Sequence, residues 1–143
     1  MILVDANLLV YATVRQMPQH AQAKAWLSQA LSGRTRVGLP WTSLLAYVRI
    51  VSNPRVFPKP LAISVAWDQV KTWLAQPPTW TPTATDAHQD VLDELMRAIS
   101  SSNHVPDAEL AALAIQHGLE LVTADRGFAR FPRLRFRNPL EEP

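Results

Sequence analysis

The chain has 143 residues, 48 % of them apolar and 18 % charged, a balance that excludes intrinsic disorder and is enough for one domain with a real core. It has no cysteine, which rules out a disulfide framework or a thiolate zinc site, and its net charge of +2 is too small to argue alone for a polyanionic partner. No apolar run approaches the roughly 20 residues of a membrane helix. The opening MILVDANLLVYA carries Asp5 and Asn7 and no basic leader, so the expectation is a soluble cytoplasmic protein with a single domain over residues 1–143.

Residues 2–4, Ile-Leu-Val, read as a buried strand of a parallel sheet, ending at Asp5, which caps a helix over residues 8–14. Residues 19–31 place Ala23, Trp26, Leu27, Ala30 and Leu31 on one helical face between Pro18 and Gly33. A short strand over 36–39 meets Pro40, and a helix over 41–51, capped by Thr42 or Ser43, runs to Asn53-Pro54. After a proline-punctuated loop, an amphipathic helix over 64–76 puts Ala66, Trp67, Val70, Trp73 and Leu74 on one side. The shared stripe suggests Trp67 and Trp73 as a dimer or partner surface. Trp80 lies in a brief extended piece. Thr85 caps a further helix with Val91, Leu92, Leu95, Met96 and Ile99 at helical spacing and a solvated acidic face, and 100–103 is a turn.

The segment 106–128 organises the rest. Pro106 and Asp107 open a helix that is apolar nearly all round from 110 to 115, and His117 and Gly118 close it. A strand over 119–123 follows, with Asp125 just past its end, and residues 134–137 alternate as an edge strand. Strands alternating with helices give an α/β domain with a central, largely parallel sheet of about four to five short strands. Ligands bind such sheets beyond the carboxyl ends of the strands. Asp5 and Asp125 lie there, and Asp107 opens the helix leading into the second strand, so three distant carboxylates converge. An all-carboxylate cluster suits Mg²⁺ or Mn²⁺ and, with two ions, in-line displacement at phosphorus by water.

ILVDANLLVYA, DAELAALAIQHG and LVTADRGFARFP together resemble the PIN domain, more narrowly the VapC toxins of bacterial VapBC toxin–antitoxin pairs, across essentially the whole chain. The resemblance implies a metal-dependent endoribonuclease toxin, dimeric and inhibited by a cognate VapB-type antitoxin. It implies that Asp5, Asp107 and Asp125 bind metal and that Asn7 and Thr123 orient them. The family pattern also places a Glu in the helix after the second strand, where this chain has Ala46. One tight Mg²⁺ or Mn²⁺ site is therefore expected, with a second formed mainly once RNA is bound.

Five arginines, at 126, 130, 133, 135 and 137, crowd the C-terminal region. Arg126 and Arg130 are the candidate RNA phosphate ligands, with Arg49 a third that equally suits a packed helix. Glu109 does not replace the missing Glu, because side chains two positions apart do not share a helix face; it reads as solvated or partner-facing. Two alternatives stand beside the nuclease. One is a degenerate domain that binds RNA or antitoxin without cutting, and the other is a phosphatase with Asp5 as nucleophile. The latter wants an acid where Asn7 stands and a lysine near the sheet end.

Overall fold

The computed structural model describes residues 1–141. Its sheet has five short strands, β1 (Ile2–Val4), β2 (Val37–Gly38), β3 (Thr79–Trp80), β4 (Glu120–Val122) and β5 (Phe136–Arg137), in the order β3-β2-β1-β4-β5. Every neighbouring pair is parallel. Six helices surround it: α1 (Ala6–Thr13), α2 (His20–Ser32), α3 (Trp41–Val51), α4 (Ile63–Leu74), α5 (His88–Met96) and α6 (Val105–Gln116). Two 3-10 turns, Ser102–His104 and Arg126–Arg130, lead into α6 and follow β4. Among the described residues, no helix is long and apolar enough to cross a membrane.

Alternation along β1 builds two cores. Ile2 and Val4, with Val122 of β4, pack into the layer of α1, α2, α3 and α4. Leu3 and Leu121 turn to the other face and meet α5 and α6. Both faces of the central strand are covered, so β1 is apolar throughout rather than alternately polar. The helix α6 is the buried element that its unbroken alanines and leucines predict: positions 108 and 110–114 are all buried. It ends at Gly118, whose φ of 64° is a conformation that favours glycine. The Leu119 amide then bonds back to the Ala114 carbonyl at 2.8 Å, turning the chain straight into β4.

Several local expectations change. No side chain caps α3; Pro40 occupies the cap position, and Ser43 is buried inside the helix with its hydroxyl unpartnered. Thr85 lies two residues before the N-cap of α5: its hydroxyl accepts from the Ala87 amide at 3.3 Å in the turn entering the helix and donates to Gln116 Oε1 of α6 at 2.9 Å. Trp73 is core, edge-on to Tyr47 with ring centroids 4.8 Å apart. The exposed tryptophan of α4 is Trp67, which stacks on Trp41 of α3 at 6.3 Å. Trp67 and Trp73 therefore form no common surface. The five-residue stripe predicted for α5 buries only Leu95 fully, while Met96 is exposed.

Gly38 of β2 sits in close contact with its neighbours. A Cβ there would stand 3.0 Å from Leu3 Cδ1, 3.1 Å from the Ile2 carbonyl and 3.1 Å from Pro82 Cγ. Backbone and a proline ring leave little room to yield. Gly38→Ala should therefore cost about 1–3 kcal/mol, the range for overpacking a filled interior, read as a lower urea midpoint with an unchanged m-value.

Candidate active site

Adjacent parallel strands deliver the first two acids to one edge. Val4 and Val122 are register partners, and the Asp5 amide continues the ladder to the Val122 carbonyl at 3.0 Å. Asp5 is thereby fixed as the N-cap of α1, its Oδ1 accepting from the Ala6 amide at 2.7 Å. Asp125 does the same on the neighbouring strand, capping the 126–130 turn with Oδ1 accepting from the Gly127 amide at 2.7 Å. Asp107 comes from the first turn of α6, directly after Pro106.

Thr123 joins these pieces. Its buried hydroxyl donates to Asp5 Oδ2 at 2.7 Å and accepts from Asn7 Nδ2 at 3.2 Å and from the Asp125 amide at 3.0 Å. Asn7 also donates to Asp5 Oδ2 at 3.3 Å, and its Oδ1 accepts from the Ala124 amide at 3.3 Å. Asn7 and Thr123 thus both donate to the same oxygen of Asp5.

The three acids feel one another. Burial, above all, pushes the Asp5 carboxyl up to about 6. The Thr123 and Ala6 hydrogen bonds oppose that rise, and the negative charges of Asp107 and Asp125 add to it. Asp107 is also raised, first by burial and then by Asp125, against the opposing influence of His104 and Arg130. Its carboxylate accepts no hydrogen bond among the described residues; its one ionic partner is Arg130, with Nη1 at 3.8 Å from Oδ2. Among the described residues, no group of three or more His, Cys, Asp and Glu is already gathered as a cation cage. In chemistry the donor set nevertheless fits a hard divalent cation: it is all carboxylate oxygen, mutually repelling and short of positive charge.

The other candidates separate. Arg126 is exposed and pairs with Glu141 at 2.8 Å rather than with any of the three acids. Arg49 is exposed in the last turn of α3, and among the described residues none of its contacts is to the three acids. The C-terminal arginines do not form a free basic tail: Arg133 pairs with Glu94 at 3.1 Å and Arg137 with Glu120 at 2.7 Å, and Arg135 donates to the Gly118 carbonyl at 3.1 Å. Glu109 is one third exposed rather than fully solvated. It pairs with His88 Nε2 at 2.7 Å and fastens α5 to α6. Of the five C-terminal arginines, Arg130 alone has an ion pair with one of the three acids among the described residues, and sequence reasoning missed its pairing with Asp107 because no residue spacing connects a turn after β4 to the start of α6.

The family model of the PIN domain matches residues 2–134. Ribonuclease VapC37 of Mycobacterium tuberculosis is 40% identical over 140 residues, covering 97% of this chain and 97% of that protein. Ribonuclease VapC33 of the same species is 37% identical over 143 residues, covering 99% and 100%. Among solved structures, VapBC2 from Rickettsia felis bound to a promoter DNA fragment superposes with a TM-score of 0.64 at 20% identity, over 96% of this chain and 98% of that one. Fold, residue pattern and relatives coincide, and the chain belongs to the PIN-domain family, in its VapC branch.

Proposed function

We propose that this protein is an endoribonuclease toxin of the VapC type that hydrolyses RNA phosphodiesters with a divalent cation, Mg²⁺ or Mn²⁺, held by Asp5, Asp107 and Asp125. The observation that carries the reading is the mutual repulsion of these carboxylates beyond the carboxyl edge of the sheet, which adds to burial in raising the pKa of Asp5 and of Asp107. The 37–40% identity to proteins named ribonucleases supports it. When bound, the cation would activate water and neutralise the phosphate. The chain's own role is to aim oxygens. Thr123 and Asn7 fix Asp5, the Gly127 amide fixes one oxygen of Asp125, and Asp107 is left without hydrogen bonds to offer its own.

A VapB-type antitoxin and a second copy of the chain are the proposed partners. Trp41 and Leu45 of α3 lie beside Ile63 and Trp67 of α4, all four exposed, around the stacked indoles. Such a patch suits protein contact. Trp41→Asp should therefore shift the protein from dimer to monomer in sedimentation velocity, with RNA-free folding retained.

A binding module without catalysis is the second reading, favoured by Ala46, which is half-buried in α3 and brings no fourth carboxylate. The phosphatase reading loses ground, because Asn7 spends its amide on Asp5 and Thr123. Purified protein incubated with total RNA should give discrete fragments with Mg²⁺ or Mn²⁺ and none with chelator. Asp5→Asn and Asp107→Asn should each lower the rate by at least about 100-fold. RNA bound but intact under all these conditions would favour the binding module.

The raised Asp5 sets the pH behaviour. Its folded pKa of about 6 lies above its ordinary 3.8, so the folded state takes up protons more readily than the unfolded one. In chelator, the stability Asp5 costs is absent below its ordinary value and complete above about 6. A cation competes with that proton. Calorimetry should find one tight equivalent of Mn²⁺ per chain at pH 7.5, weakening as the pH falls through about 6, and two equally tight ions would contradict the one-site reading.

A further inference from the structure

Arg130 closes the turn that Asp125 opens, and its side chain reaches back across the site. The guanidinium Nη1 stands 3.8 Å from Asp107 Oδ2, and both side chains are 26% exposed. A Cβ on Gly127 would come within 2.8 Å of Arg130 Nη2 and 2.9 Å of Asp125 Oδ1. The missing side chain of Gly127 is thus the space in which the guanidinium and the second carboxylate lie together. Nη1 is buried and has no hydrogen-bond partner.

This is not the geometry of a structural ion pair. Arg137 meets Glu120 at 2.7 Å and Arg126 meets Glu141 at 2.8 Å, both within hydrogen-bond reach. Arg130 instead holds a charge among the acids without spending its donors on them. An unpaired buried donor is costly, and guanidinium stays charged at every relevant pH. We infer that Arg130 is a resident counter-cation, a positioning residue that steadies Asp107 and Asp125 in the ion-free protein and sets how tightly a divalent cation binds there. The inference rests on the proposed metal site. A divalent ion entering beside Asp107 meets a fixed positive charge already in place, so cation and guanidinium oppose each other.

The sign of the effect separates this role from scaffolding. In calorimetric titrations with Mn²⁺ at pH 7.5, R130Q should bind at least about 10-fold more tightly than the unaltered protein, since a repelling charge is gone. R130K, which restores the charge, should return to within a few-fold of the original affinity. A merely structural arginine predicts weaker binding in R130Q. Unchanged or weaker affinity there overturns the inference while leaving the metal site standing, whereas no Mn²⁺ binding by the unaltered protein removes both. Should R130Q fail to fold, the unaltered protein still decides. The Arg130 side-chain NMR resonance should move with Mg²⁺ in step with filling of the tight site, and a resonance that stays fixed would overturn the role.

Discussion

One hydroxyl holds the site together. Thr123 sits immediately after β4, almost wholly buried, and uses its single donor and both acceptor lone pairs at once. Asp5 and Asn7 come from the first segment of the chain, and Asp125 from the last third. Nothing local in sequence connects them. The parallel pairing of β1 with β4 brings the two strand ends side by side, and Thr123 turns that proximity into a fixed geometry. In a low-dielectric setting a fully satisfied network of this kind is rigid, and a partly satisfied one is costly. The threonine therefore has a demanding position: a hydroxyl is needed, and it must point toward three different groups.

The same arrangement concentrates negative charge that the fold offsets only partially. Asp5 and Asp125 each cap a helical turn, where an anion is welcome because unpaired amides point at it. That local benefit does not cancel the burial of Asp5 or the repulsion from its neighbours, and its carboxyl remains raised to about 6. Asp107 lies in the first turn of α6, which favours it electrostatically, yet it too is raised. Backbone and hydrogen-bond geometry thus hold these carboxyls against their own electrostatics, a combination that is common at functional sites.

The sequence made this convergence legible because parallel α/β sheets place the ends of their strands together, and an apolar run that stops at an acid marks such an end. Asp5 and Asp125 were readable for that reason, and Asp107 from the proline that opens α6. The helix α6 was readable from an unbroken apolar stretch closed by glycine. Pairings between distant surfaces were not. His88 with Glu109, Arg133 with Glu94 and Arg137 with Glu120 depend on how α5 and β5 lie against their neighbours. No periodicity within either partner encodes that. The five C-terminal arginines looked like one basic feature in one dimension, but the turn at 126–130 and the positive φ at Arg133 send their side chains to different partners. Trp67 and Trp73 shared a helical stripe, yet the stripe is wider than the core contact. Trp73 is taken up by Tyr47, and Trp67 is left at the rim beside Trp41.

Charge balance connects the two unusual features of the site. Ala46 withholds a fourth carboxylate, and Arg130 adds a guanidinium close to Asp107. Three carboxylates and one guanidinium leave two net negative charges, which is what a single divalent ion neutralises. A fourth acid without the arginine would leave four, enough for two ions. The substitution and the counter-charge therefore push in the same direction. With the proposed metal site, both would favour one cation in the free protein and would leave any further positive charge to be balanced by the phosphate of a bound substrate.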